Sequence, residues 1–120
     1  EEARAWRGFT RLATTPIPDS SKGAGIYDAR CSGCHGVDGE GSSMAPPVWG
    51  SRSYNIGAGM ARTSVAAAFI KHNMPLGQGR TLSDEEAIDL AAYINAQPRP
   101  DFPDKRFDWP QGGKPADAPY

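Results

Sequence analysis

Five consecutive residues carry the clearest chemistry in this chain: Cys31-Ser32-Gly33-Cys34-His35, two thiols one helical turn apart with an imidazole directly after the second. The two cysteines are too few for a disulfide framework, and a single CxxC lacks the second ligand pair of a structural zinc site. A thioredoxin-type pair would open a helix after a strand inside a βαβ pattern. Here the residues before Cys31 read as helix, and no strand alternation follows. The histidine selects covalent attachment of one c-type haem, in which both thiols add to the vinyl groups and His35 reaches the iron. The alternative is a reduced cysteine pair beside a surface histidine. Haem is attached in this way outside the cytoplasm, in bacteria in the periplasm, so a periplasmic location is the expectation.

Iron held on one side by His35 needs an account of its other side. Met44, Met60, Lys71, His72 and Met74 are the candidates. Met74 fits best, 39 residues after His35 and beyond a predicted helix. Pro75 follows it, locking φ and removing a donor, and Gly77 and Gly79 then let the chain turn away from the porphyrin. Met60 stays open as the alternative, and core filling is the ordinary role of any lone methionine. A thioether ligand raises the reduction potential relative to a second histidine and leaves no open coordination position. That combination describes an electron carrier, not an oxygen-activating site.

The elements that must position these groups read as helices. A first core helix is predicted from about Ser20 to Cys34, with Asp19, Ser20 and Ser21 as N-cap candidates and Gly23, Tyr27 and Cys31 on one face. Thr63 to His72 forms a second, alanine-rich helix, with Val65 and Phe69 inward and Ala66 and Ile70 as further inward candidates. Ser83-Asp84-Glu85-Glu86 has capping-box spacing and opens a third helix with the apolar stripe Ala87, Leu90, Ala91 and Ile94, which Pro98 stops. Residues 1–18 read as a leader in which Trp6, Phe9 and Leu12 form an apolar stripe expected to pack on residues 19–97, the main domain; the alternative is a basic docking patch of Arg4, Arg7 and Arg11, or the remnant of a linker to another domain. Residues 98–120 read as a proline-rich tail wrapping that domain, with Phe102, Phe107 and Trp109 lying against it. Glu1-Glu2-Ala3-Arg4 begins with acids and shows no apolar signal core, so a mature form or a domain cut from a longer chain is expected.

Composition fits a cofactor-filled domain. The 120 residues carry 13 basic and 14 acidic side chains, a formal charge of −1, and only 38% hydrophobic residues. A near-neutral balance argues against a general nucleic-acid binder. No apolar run approaches the ~20 residues of a membrane helix. The 14 glycines and 11 prolines leave a thin side-chain core, to which haem would add a large apolar body. The irregular stretch from Gly33 to Gly59 is long for a small domain, and wrapping a flat cofactor would explain it.

In order and spacing, Gly23, Tyr27, Cys31, Cys34, His35, Pro47, Met74, Leu90 and Tyr93 resemble class I cytochromes c. The resemblance implies an all-α fold of three to four helices with long loops around one covalent haem. It also implies a crossing of the first and last helices in which Gly23 and Tyr27 meet Leu90 and Tyr93. A proline carbonyl should hold the outer nitrogen of the His35 ring; Pro47 matches, with Pro46 as the neighbouring ambiguity. A closer resemblance, to the C-terminal haem domain of the thiosulfate dehydrogenase family, rests on five segments. They are Pro46-Pro47-Val48-Trp49-Gly50, Tyr54-Asn55-Ile56-Gly57-Ala58-Gly59-Met60, Asn73-Met74-Pro75-Leu76-Gly77, Leu82-Ser83-Asp84 and Gln97-Pro98-Arg99-Pro100. That family's catalytic haem has a cysteine-ligated iron, and this sequence has no third cysteine.

The expected function is therefore a monohaem one-electron carrier, in a sulfur-oxidising setting that the resemblance supplies, and not an enzyme in itself. Trp49, Val48, Phe69 and Tyr93 would bury the haem, and Arg52, Tyr54 and Asn55 are candidate donors to its propionates. Donor and acceptor redox proteins would dock transiently through a small interface. Two other readings stand beside it: the relay domain of a larger dehydrogenase, and a haem sensor in which Met74 is displaced by a ligand such as carbon monoxide.

Overall fold

Asp19 starts the first helix, α1 (Ser20–Arg30): its carboxylate accepts from the backbone N–H groups of Ser21 and Lys22 at 3.1 and 3.3 Å. The structure is a computed structural model that describes residues 12, 17–75, 77–110, 112–114 and 116–119, without the side chains of residues 106 and 107. The helix predicted to continue to Cys34 breaks at Cys31, whose φ of −123° and ψ of −35° leave helical values. Ser32 contributes to the break, because its hydroxyl takes the Asp28 carbonyl at 2.8 Å. A separate turn, α2 (Ser32–His35), follows at once.

The alanine-rich segment forms α3 (Thr63–Asn73), as composition favours. Its buried positions are Ala66, Ala67, Ala68 and Ile70. Val65 and Phe69, expected inward, are only half-buried. The reason is size: the small alanines let α3 come close to the last helix, α4 (Asp84–Asn95). The capping box of α4 is complete, with Glu86 N–H donating to Ser83 Oγ at 3.0 Å and Ser83 N–H donating to Glu86 Oε1 at 2.8 Å. Lys71 joins the end of α3 to the start of α4, donating to the Leu82 carbonyl at 2.7 Å and pairing with Asp84 at 3.3 Å. No strand occurs among the described residues, and no helix is long and apolar enough to cross a membrane.

The first and last helices cross where Gly23 faces the Asp89 carbonyl and the Cβ of Tyr93, too close for any side chain at position 23. Asp89 is itself buried, 2% exposed, and accepts the Asp19 backbone N–H at 2.8 Å. Beside this crossing stand three rings. Tyr27 lies 5.0 Å from Trp49 and 5.8 Å from Tyr93, and Trp49 meets Tyr93 edge-on at 5.7 Å. Each such pair adds about 0.5–1.5 kcal/mol beyond its buried area.

The tail runs back across the body. Pro98 and Pro100 carbonyls accept from Gly50 and Ile56 at 2.7 and 3.0 Å, and the Phe102 ring fills the space over Gly57. Asp117 then reaches the start of α3, which has no cap of its own. Its carboxylate accepts from Ser64 N–H at 2.8 Å and pairs with Arg62 at 3.0 Å. Burial alone would raise the Asp117 carboxyl, but the bonds from Ser64 and Arg62 outweigh it and hold the group at about 2. Trp6, Phe9 and the Phe107 side chain lie outside the described residues, while Leu12 is partly buried against the core.

Candidate haem site

The break at Cys31 gives the Cys31–His35 stretch its own turn. Cys34 and His35 N–H groups both donate to the Cys31 carbonyl, at 3.2 and 2.9 Å. Cys31 is half-buried, Cys34 is exposed, and the two thiols are not bonded to one another. Burial pushes the Cys31 thiol up to about 11, outweighing the pull of Arg30. A redox-active CxxC needs the opposite shift, toward thiolate. Among the described residues no group of three or more metal-binding side chains gathers, which leaves a zinc site without ligands.

Among the described residues, one bond with a clear chemical meaning holds the imidazole. His35 Nδ1 lies 2.7 Å from the carbonyl oxygen of Pro46. A carbonyl only accepts, so Nδ1 carries the proton and Nε2 keeps the lone pair that would ligate iron. This corrects the residue drawn from the resemblance: the carbonyl is that of Pro46, not Pro47. Within a Pro-Pro pair both carbonyls belong to ring-locked residues, and only the path of the loop decides which one faces the imidazole. The Pro47 carbonyl accepts from Ser53 Oγ at 3.4 Å instead. The loop itself is pinned by the Val48 N–H on the Gly39 carbonyl at 2.9 Å and by the Tyr27 hydroxyl on the Gly36 carbonyl at 2.6 Å. Burial pushes the Tyr27 phenol well above its ordinary range, so it stays a donor.

Of the sixth-ligand candidates, Met74 stands at the C-cap of α3 in extended backbone, its N–H on the Ile70 carbonyl at 2.9 Å. Met74 and Met60 are both half-buried against the core. Met44 is 73% exposed, and the Lys71 ammonium is committed to Leu82 and Asp84. His72 lies half-buried in the last turn of α3. The residues present fit a c-type haem: two unpaired thiols one turn apart, an imidazole with its ligating nitrogen set by its outer bond, and half-buried thioethers.

The other predicted haem contacts are distributed differently. Trp49 sits in the core with Tyr27 and Tyr93. Arg52 is exposed. The Tyr54 hydroxyl, expected to face a propionate, donates to Asn95 Oδ1 at 2.7 Å, and its single proton is spent there. Asn55 Oδ1 accepts from Gly57 N–H at 2.8 Å. Asn95 Nδ2 reaches the Met60 carbonyl at 2.9 Å, tying α4 to the turn Gly59–Ala61. Arg99, given no role from sequence, donates to the carbonyls of Val48, Tyr54 and Ile94 at 3.2, 3.5 and 2.8 Å and lies 4.2 Å above the Tyr54 ring. Its place between two prolines is the local signal that could have marked it.

An all-helical domain whose first and last helices cross around Gly23, and whose CxxCH turn carries a carbonyl-locked histidine, is a c-type cytochrome domain. The family model described as cytochrome c oxidase, cbb3-type, subunit III matches residues 18–94, and the chain belongs to that family of cytochrome c domains. It is 45% identical over 117 residues to the thiosulfate dehydrogenase of Psychrobacter arcticus, covering 92% of this chain and 36% of that protein. To the thiosulfate dehydrogenase of Allochromatium vinosum it is 49% identical over 104 residues, 82% of this chain and 38% of that protein. Among solved structures, the thiosulfate dehydrogenase of Marichromatium purpuratum superposes with a TM-score of 0.74 at 50% identity, covering 86% of this chain and 23% of that one. The chain thus spans a little over a third of the length of these two curated relatives. It carries covalently bound haem c, which supplies a ferrous/ferric couple for electron transport.

Proposed function

We propose that this chain is a periplasmic one-electron carrier domain, serving the oxidation of a sulfur compound of the thiosulfate class, with His35 and Met74 as the axial ligands. The observation that carries it is the His35–Pro46 bond, which dedicates Nε2 to iron and has no use in a thiol-based redox site. Met74 is favoured over Met60 because it ends α3 in extended backbone, whereas Met60 is inside a turn whose carbonyl is tied to Asn95. The chain's own residues contribute orientation and burial: Pro46 sets the imidazole, and the Met74 thioether would hold the iron and leave no coordination position open to a substrate. Exposed Val37 and Met44, 67% and 73% exposed, border the haem-bearing turn and offer an apolar contact for a transient redox partner. Met44 is linked to that turn through Ser42, whose hydroxyl donates to the Cys34 carbonyl at 2.7 Å and accepts the Met44 N–H at 3.0 Å.

Absorption spectra of the oxidised protein test the ligand pair. The weak long-wavelength charge-transfer band of thioether ligation should vanish in Met74→Ala and survive in Met60→Ala; the reverse would make Met60 the ligand. A second reading, the relay half of a larger dehydrogenase, is favoured by the partial coverage of the relatives. The mass of the native protein separates a free carrier from a relay domain, and electron uptake from a thiosulfate-oxidising enzyme tests the sulfur assignment in either case.

A further inference from the structure

Beyond Met74 the chain leaves α3 by a loop that returns at once to the helix it came from. Arg80 N–H donates to the Lys71 carbonyl at 2.8 Å, and Lys71 Nζ donates to the Leu82 carbonyl at 2.7 Å. Gly79 lies so close to the His72 carbonyl that no side chain fits there. Gln78 N–H closes a turn on the Pro75 carbonyl at 2.7 Å. This route demands positive φ, +80° at Gly77 and +71° at Arg80. Arginine takes that conformation only at a cost, so it persists where the surroundings fix it, and such residues gather at functional sites. All these bonds fasten the loop to α3. One hydrogen bond among the described residues ties it instead to the segment that bears the haem: Arg30 Nη2 donates to Thr81 Oγ1 at 3.0 Å. Arg30 is the last residue of α1 and stands directly before Cys31. Thr81 completes the link, since its own hydroxyl proton goes to the Gln78 carbonyl at 2.8 Å, in the turn that Pro75 opens beside Met74.

Thioether ligation requires two separate segments to keep their distance: the Cys31–His35 turn, to which the porphyrin is attached, and the loop that carries Met74. We propose that Thr81 is a positioning residue for this ligation, holding the Met74 loop to the end of α1 through Arg30. The inference rests on Met74 as the axial ligand. A bond made with the loop closed and lost with it open biases that equilibrium by its own free energy. A ligand that needs the open loop reads the bias directly. Such local opening proceeds without global unfolding, so the two can be measured apart. One hydroxyl serves both bonds, accepting from Arg30 and donating to Gln78. Serine can therefore replace threonine here, and valine, which lacks the hydroxyl, cannot.

The test uses the ferric holoprotein with imidazole as the probe, because imidazole takes the iron position that Met74 leaves when the loop opens. Thr81→Val should raise the apparent imidazole affinity about three- to tenfold, the factor that one net hydrogen bond between the segments represents. Thr81→Ser should bind imidazole as the unmodified protein does. Arg30→Met should match Thr81→Val, and the double variant should gain less than the product of the two. On heating Thr81→Val, the thioether charge-transfer band should fade at lower temperature than in the unmodified protein, while the far-ultraviolet circular dichroism melt stays within a degree or so (about 1 °C). An unchanged imidazole affinity in Thr81→Val, or serine and valine variants that behave alike, would overturn the proposal. Equal downward shifts of band and melt would overturn it too, leaving Thr81 an ordinary stabilising contact. Should Arg30→Met fail to mature, the two Thr81 variants decide alone. Met74→Ala keeps the failures apart: if it retains the band, the ligand assignment falls and the proposal with it. A band lost in Met74→Ala beside an unchanged Thr81→Val overturns the tie alone.

Discussion

The crossing of α1 and α4 gives a matched pair of substitutions whose effects should have opposite signs. At Gly23 an alanine Cβ would lie 2.8 Å from the Tyr93 Cβ and 2.7 Å from the Asp89 carbonyl carbon. The Asp89 obstruction is backbone of a helix that α3 and α1 hold from two sides, so it cannot swing away as a side-chain tip would. One excess methyl in a packed contact costs about 1–3 kcal/mol. Against this, replacing glycine by alanine inside a helix gains about 1 kcal/mol. With backbone as the obstacle the upper end of the cost applies, leaving Gly23→Ala less stable by about 2 kcal/mol. Gly25, two residues on in the same helix, has nothing within 4 Å of its would-be Cβ, so only the propensity gain remains there. For 120 residues the entropy of unfolding makes 1 kcal/mol equal to about 4 °C in Tm. Gly23→Ala should therefore melt about 8 °C lower than the unmodified protein and Gly25→Ala about 4 °C higher, by far-ultraviolet circular dichroism. Urea midpoints should move in parallel with unchanged slopes. Shifts of the same sign at both positions would refute the packing account of Gly23.

Two further outcomes follow from the same contacts. Asp117→Asn should lose about 1 kcal/mol, because α3 forfeits its cap and its pair with Arg62. The folded carboxyl lies near 2, below the ordinary 3.8, so its contribution is full above the ordinary value and fades as pH falls toward 2. The gap in Tm between Asp117→Asn and the unmodified protein should close over that interval; a gap independent of pH would count against the ionic part. Gly41→Ala should act on the iron ligand: φ at Gly41 is +83° and a Cβ there would stand 2.6 Å from Pro47 N and 3.0 Å from the Pro46 carbonyl carbon. A side chain in that conformation costs about 1–2 kcal/mol, and the displaced Pro46 carbonyl would release His35 Nδ1–H. A weaker bond makes the imidazole a poorer electron donor, so the reduction potential should rise, whereas Gly25→Ala leaves it unchanged.

Features legible in the sequence are those whose cause is local. The Ser83–Glu86 box is decided within four residues, and the CxxCH turn within five. Asp19 as the cap of α1 is of the same kind. The Gly23–Tyr93 crossing is a long-range contact, and only the class I cytochrome resemblance brought it within reach. What escaped depends on where distant backbone comes to rest. Pro46 and Pro47 are chemically alike, and only the fold of the loop chooses between their carbonyls. Tyr54 looked like a propionate donor because nothing near it in sequence announces Asn95, 41 residues away. Asp117 lies 53 residues from the helix it caps, in a stretch with no periodicity to read. The end of α1 was missed for a different reason: a serine hydroxyl competing for the Asp28 carbonyl is one of several options that helical propensity leaves open.

The bond from the Asp19 amide to Asp89 spans 70 positions of sequence and, with Gly23, turns the chain between them into a closed ring. The entropy of closing a flexible ring grows only with the logarithm of its length, so even doubling the enclosed segment would cost about 0.6 kcal/mol. Segments inside the ring that touch neither the clasp nor the haem turn are therefore free to lengthen. One design could in this way accept new loops for different redox partners while its first and last helices keep the same junction.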